Sequence, residues 1–154
     1  MLEVGKMAPT FTLDNQNGDK VALKSFRGEK NVVLYFYPKA MTPGCTTQAC
    51  GLRDFNKELA TLDAVAIGMS PDAVEKLKRF EDKYDLNFDL LADLEHKIAD
   101  KYEVWGLKKF MGKEYMGINR RTFIIGKDGK LKNIMMKFKT TTHHEDVIEI
   151  LKTL

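Results

Sequence analysis

The sequence predicts an α/β fold, with a central mixed sheet flanked by helices and preceded by a β-hairpin. Three observations predict it. Two apolar runs, one from Asn31 to Tyr37 and one from Ala64 to Ile67, lack the polar alternation of a sheet with one wet face, so both are expected to be buried on both sides. Segments of helical periodicity follow each run, which is the strand–helix–strand order of a parallel sheet. The last part of the chain changes style, to two strands around Gly126-Lys-Asp-Gly129 and one closing helix.

In chain order, Phe11 to Leu13 and Val21 to Leu23 are short apolar pieces around Asn15-Gln16-Asn17-Gly18, the N-terminal hairpin. Pro38 stops the first long strand. Beyond the loop Lys39 to Gly44, residues Ala49, Leu52, Phe55, Leu59 and Leu62 recur at steps of three and four, predicting one helix that begins near Cys45. The second strand runs from Ala64 to Ser70. Ser70 is expected to cap a helix with Pro71 at its first position and Ala73, Leu77, Phe80 and Tyr84 as its buried stripe. Phe88 to Ala92 is a third strand, and Asp93 opens a short helix from Glu95 to about Tyr102. Thr122 to Ile125 and Leu131 to Phe138 form the late hairpin. Thr142-x-x-Glu145 reads as a capping box before Val147, Ile148, Leu151 and Leu154. The sum, βαβαβα and then ββα with right-handed crossovers, is a thioredoxin-like plan.

A chain of 154 residues and 17.6 kDa, with no repeat or linker, predicts a single domain over residues 1–154. A core of that size needs no disulfide staple. The net charge of +3 comes from 25 basic and 22 acidic residues mixed along the chain, which argues against a nucleic-acid partner. The densest basic stretch, Lys127, Lys130, Lys132, Lys137 and Lys139, is spread along a hairpin as a solvated face would be. No run approaches the roughly 18 apolar residues of a membrane span. Met1 to Pro9 lack the apolar stretch of a secretory signal, so a cytoplasmic location is expected. In a reducing compartment, a close cysteine pair points to thiol chemistry rather than to a staple.

That pair is Cys45 and Cys50. Cys45 stands where a buried strand hands over to a helix, and in open α/β folds ligands bind beyond the carboxyl ends of the strands. Unpaired N–H groups and the helix dipole stabilise negative charge on a sulfur placed there. Thr42, three residues earlier, can offer a hydroxyl to the sulfur or to an attacked oxygen, and Pro43 and Gly44 shape a tight loop. The competing reading of Cys45 is a small, inert buried residue, which would not need a loop bracketed by proline and glycine. On an intact helix, residues i and i+5 have Cα atoms roughly 8–9 Å apart and face about 140° away from each other. A disulfide tolerates Cα separations only to about 7 Å. If these two cysteines join, the first helical turns must unwind.

Pro38-x-x-x-Thr42-x-x-Cys45 resembles the active-site signature of the peroxiredoxins. The run from Thr42 to Asp54, with its second cysteine, resembles the bacterioferritin comigratory protein branch, also called peroxiredoxin Q. Further matches are Gly5-Lys-Met-Ala-Pro9-x-Phe11, Gly117-Ile-x-Arg120-x-x-Phe123 and Phe138-Lys-Thr, so the likeness runs nearly the whole chain. It implies a thiol peroxidase with Cys45 as the peroxidatic cysteine and Cys50 as the resolving one. Thr42 and Arg120 would orient and polarise the peroxide, while Pro38 would shield the sulfur. It also implies thioredoxin as reductant and a monomer. By residue chemistry alone Arg120 and Arg121 are indistinguishable, and the Arg-x-x-Phe pattern selects Arg120. Where many relatives carry acidic residues before the threonine, this chain has Ala40 and Met41, giving a less polar rim.

No metal or organic cofactor is expected, because sulfur carries the redox change. His96, His143 and His144 lack the spacing of a zinc site. Arg53 lies too far from Cys45 for a phosphate-cradling loop and is expected to pair with Asp54 or another carboxylate. Met41 is placed by the motif at the pocket, and Trp105 reads as packing. Two other functions fit the same residues: a thiol–disulfide oxidoreductase acting on proteins, and a non-catalytic redox switch.

Overall fold

The computed structural model describes residues 2–154; Met1, the first residue of the expected domain, lies outside them. β1 (Thr12–Asp14) and β2 (Lys20–Ala22) form the N-terminal hairpin, followed by a 3-10 turn over Leu23–Phe26. β3 (Asn31–Phe36) leads to α1 (Pro43–Asp54) and α2 (Asn56–Thr61). β4 (Ala64–Ser70), α3 (Val74–Tyr84), β5 (Asp89–Ala92) and α4 (Lys97–Lys101) come next. A second hairpin, β6 (Trp105–Phe110) and β7 (Lys113–Ile118), precedes β8 (Arg121–Ile125), β9 (Leu131–Met135) and α5 (His143–Leu151).

The central sheet has the order β5-β4-β3-β8-β9. β3 is its middle strand, parallel to β4 with Val33 opposite Ala66, and antiparallel to β8 with Leu34 opposite Phe123. Its side chains divide between two cores, as a strand covered on both faces requires. Val33 and Tyr35 join Leu52, Leu77, Phe80 and Val147 beneath α1, α3 and α5. Val32, Leu34 and Phe36 join Phe11, Tyr102, Ile118 and Phe123 on the other face. Each such buried side chain contributes about 1.5–3 kcal/mol of transfer free energy, so the strand that carries the candidate site at its C-terminal end is firmly held. This is the mixed, helix-flanked, thioredoxin-like arrangement that the sequence predicts.

Several local expectations are corrected. The single helix expected from Cys45 to Leu62 breaks at Phe55, because the Arg53 carbonyl accepts the Asn87 Nδ2–H at 3.2 Å instead of a helical N–H four residues on. Ser70 does not cap α3. Its hydroxyl donates to Asp72 Oδ2 at 2.8 Å, and α3 starts only after Ala73. The capping box does not form either, for Thr142 offers only its backbone carbonyl, to the N–H groups of Glu145 and Asp146. Leu154, expected on the apolar face of α5, lies beyond it and is 53% exposed. Asp93 does open α4, its two carboxylate oxygens accepting the N–H groups of Ile98 and Ala99.

β6 and β7 were not expected. Their two-residue turn places Met111 (φ 50°) and Gly112 (φ 78°) in the left-handed region that a tight hairpin needs. Leu107, Phe110, Tyr115 and Met116 remain exposed, so the ribbon has no buried face to imprint a period on the sequence. Among the described residues, no helix is long and apolar enough to cross a membrane.

Candidate active site

Cys45 is the third residue of α1, at the C-terminal end of the sheet, and is 1% exposed. Pro43 occupies the first turn, where its missing N–H costs nothing. Thr42 is the residue that starts the helix, in extended conformation, and its carbonyl accepts the Thr46 N–H at 2.9 Å. Its hydroxyl donates backward, to the Lys39 carbonyl at 2.8 Å, and makes no capping hydrogen bond to the helix. The first-turn amides are therefore not neutralised by a Thr42 side-chain oxygen, and their partial positive charge stands beside the sulfur.

A full positive charge arrives from across the sheet. Arg120, just ahead of β8, directs Nη2 to Cys45 Sγ at 3.3 Å and Nη1 to Gln48 Oε1 at 2.7 Å. Gln48 follows Cys45 by three residues, hence on the same helical face, and is fully buried. The planar fork of the guanidinium thus spans two groups of one helix, which an ammonium could not do in the same way. Gly44 lies beside the guanidinium, where an added Cβ would stand at ordinary contact distance, 3.4 Å from Arg120 Nη2. Arg121 turns elsewhere, donating to the Glu103 carbonyl at 3.2 Å.

The loop that leads into α1 is tied down from below. Asp72 Oδ2 accepts both the Ala40 N–H and the Ser70 hydroxyl at 2.8 Å, while Lys76 Nζ lies 3.2 Å from Asp72 Oδ1. Met41, which follows the tied Ala40, is left-handed at φ 72°, a conformation that costs a side-chain-bearing residue about 1–2 kcal/mol and needs such anchoring. Pro38 is half-buried where the β3 run ends, just after the Tyr37 N–H makes the last ladder bond to Met69. Beneath the helix, the Tyr35 and Tyr37 rings stack with centroids 5.3 Å apart. Burial pushes both phenols above their ordinary range and keeps them neutral, so neither supplies a competing anion.

Cys50 is half-buried on the same unbroken helix, and both cysteines are free. The i, i+5 separation therefore stands, and no bond can join them without unwinding α1. The structure brings Cys45, Arg120 and Thr42 into one neighbourhood and sets Pro38 at its edge, with Cys50 further along the helix. The motif missed Gln48 and Asp72. Cys45-x-x-Gln48 spacing, a polar side chain on the buried face of a helix, was the available signal for the first; nothing local marked the second. The histidines are separately engaged: His96 stacks on Trp105, His143 Nε2 is 2.8 Å from Thr122 Oγ1, and His144 packs on Phe55. Arg53 pairs with Asp54 at 2.9 Å and also donates to the Tyr84 carbonyl.

The AhpC/TSA family matches residues 4–134 of the chain. Over 151 residues the chain is 50% identical to Peroxiredoxin Bcp of Escherichia coli, covering 98% of this chain and 96% of that one. It is 49% identical over 153 residues to Peroxiredoxin Bcp of Bacillus subtilis, covering 99% and 97%. Among solved structures it is similar to the Xanthomonas campestris bacterioferritin comigratory protein, an alkyl peroxide reducer, with TM-score 0.89, 28% identity, and 99% and 97% of the two chains covered.

Proposed function

The chain belongs to the AhpC/TSA family of peroxiredoxins, and from that premise we propose that it reduces hydrogen peroxide and organic hydroperoxides in a cycle carried by Cys45 and Cys50. The observation that carries this reading is the 3.3 Å contact between Arg120 Nη2 and Cys45 Sγ at the start of α1.

In the proposed cycle, the anionic Cys45 sulfur attacks one oxygen of the peroxide. The O–O bond breaks, the second oxygen takes a proton and leaves as water or an alcohol, and sulfur is left as sulfenic acid. Arg120 donates to the peroxide oxygens and stabilises charge as the bond stretches. The Thr42 hydroxyl already spends its only proton on the Lys39 carbonyl, so what it offers a peroxide is its lone pairs, as an acceptor. Arg120 as donor and Thr42 as acceptor would together orient an –O–OH group toward the sulfur. Pro38 shields the sulfur at the edge of the loop. Cys50 then condenses with the sulfenic acid: the S–O bond breaks, the S–S bond forms, and water leaves with the Cys50 proton. α1 unwinds to allow it.

An external dithiol, thioredoxin in this reading, reduces the disulfide and resets the cycle. A cytoplasmic monomer fits this scheme, because no partner subunit is needed to supply either cysteine. The alkyl peroxide activity of the Xanthomonas relative supports organic hydroperoxides as substrates. The i, i+5 spacing on an intact helix argues against a dithiol exchange enzyme, whose pair must close in place.

The test is peroxide consumption with thioredoxin, its reductase and NADPH. Wild type is expected to turn over and Cys45→Ser to be inert. Undiminished turnover by Cys45→Ser would end the proposal.

A further inference from the structure

Resting on the proposed role of Cys50, we propose that the His144 ring seated on Gly51 is a latch on α1. It sets how readily that helix unwinds, and so how the Cys45 sulfenic acid divides between Cys50 and a second peroxide molecule.

α1 is built from weak helix formers. Gly44, Thr46, Thr47 and Gly51 flank the two cysteines, and the Thr47 hydroxyl bonds back to the Pro43 carbonyl at 3.0 Å. Such a segment holds its helix through tertiary contacts rather than propensity. The contact at Gly51 is unusually close: a Cβ there would collide with the His144 Nδ1 and lie 3.1 Å from two of its ring carbons. The same ring packs on Phe55, with centroids 4.5 Å apart and planes 34° apart, so it spans the last turn of α1 and the break that follows. His144 Nδ1 is buried with no hydrogen-bond partner among the described residues, so packing rather than a hydrogen bond from this nitrogen seats the ring on Gly51. The support behind it is buried. His143, at the first position of α5, is fully buried against Thr122 and the Phe138 ring.

Gly51 adjoins Cys50, the residue that must travel. Glycine loosens the helix there, while the imidazole resting on it holds the helix shut. Once Cys45 is a sulfenic acid, two outcomes compete. Cys50 displaces the hydroxyl as water and forms the disulfide, or a second peroxide transfers an oxygen, giving sulfinic acid and another molecule of water or alcohol. Anything that retards opening favours the second.

Two readouts on Gly51→Ala, His144→Ala, His144→Phe and the Gly51→Ala/His144→Ala pair test the latch. The first is amide exchange over residues 45–54 of the reduced protein, which does not depend on peroxide chemistry. The second is the disulfide-to-sulfinic ratio by mass spectrometry after excess peroxide. His144→Ala should speed exchange roughly two- to tenfold, the range of a lost ring–ring contact, and raise the ratio. His144→Phe should restore wild-type behaviour in both. Gly51→Ala should loosen α1 when His144 is present, by collision, yet slow opening about fivefold in the His144→Ala background, where alanine only adds helix propensity. Unchanged exchange in His144→Ala, or the same direction of change for Gly51→Ala in both backgrounds, overturns the latch. Faster exchange with an unchanged ratio overturns the latch's control of that division, whereas faster exchange with sulfinic acid and no disulfide supports the latch and overturns the resolving role of Cys50.

Discussion

Replacing Arg120 with methionine removes the guanidinium while keeping an unbranched side chain of comparable reach. The charge lies 3.3 Å from Cys45 Sγ and is steadied by the 2.7 Å bond to Gln48. At that separation, an effective dielectric near 20 sets a ceiling of about 5 kcal/mol on the charge–charge interaction. Measured hydrogen bonds to charged groups retain about 1.5–3 kcal/mol of this after desolvation. If the transition state keeps that share, the rate of Cys45 oxidation falls by roughly 10- to 150-fold. Rapid-quench alkylation of the remaining thiol against peroxide concentration measures the second-order rate directly, free of the reductant. Arg120→Lys keeps the charge but cannot bridge Gln48 and the sulfur together, so it should fall between wild type and Arg120→Met. Gln48→Leu, which leaves Arg120 one anchor, should cost less than Arg120→Met. A loss under about threefold in Arg120→Met would refute the electrostatic account of this site.

Cys50→Ser should still oxidise once at Cys45, giving one oxidised thiol per chain by intact mass, while losing thioredoxin-linked turnover; full turnover would remove Cys50 from the cycle. Asp72→Ala leaves the buried Ala40 N–H and Ser70 hydroxyl without their acceptor. It is expected to cost about 1–3 kcal/mol in urea unfolding and to lower kcat/KM as the left-handed Met41 relaxes, and an unaltered kcat/KM would show that the loop does not need this tie. Burial, with the nearby His144 and Arg120 adding to it, pushes the His143 imidazole down to about 3 from its ordinary 6.5. Between those pH values the unfolded chain binds a proton that the folded chain refuses. Stability therefore falls as pH drops through that window, by up to about 1.4 kcal/mol per unit. Urea midpoints from pH 7 to 4 should fall more steeply in wild type than in His143→Phe, and parallel curves would contradict this.

Legibility followed where side chains were buried along one continuous element. β4 is bounded as its apolar run predicted, and β3 ends one residue short of Tyr37. The β6–β7 ribbon was invisible because Leu107, Phe110 and Met116 face solvent and leave no inside–outside alternation. The caps at Ser70 and Thr142 went wrong for a different reason: local grammar offered these hydroxyls to their own helices, but Asp72 took the first, and the burial of His143 fixed the start of α5 without need of the second. Cys45 could be singled out from its own loop. Arg120, 75 residues away, could be chosen over Arg121 only through the family pattern, since no local rule reports what a sheet brings together. Asp72 shows the same limit, as a residue of another loop whose carboxylate shapes the approach to the sulfur.

The break at Phe55 has a consequence for how the protein ages through repeated turnover. Unwinding that begins at Pro43 meets a boundary where α1 ends and α2 starts, and the Arg53 carbonyl at that boundary is held by Asn87 rather than by the next helical turn. Cooperative helix melting needs an uninterrupted ladder to spread, so the proposed opening would stop short of α2 and of β4, the strand that α2 packs on. The segment proposed to open is thereby fenced off from the sheet and its two cores. Substitution of Thr47, the exposed residue between Thr46 and Gly51, can then retune the pace of the proposed cycle while leaving the melting temperature of the whole nearly unchanged, an arrangement in which speed and durability evolve separately.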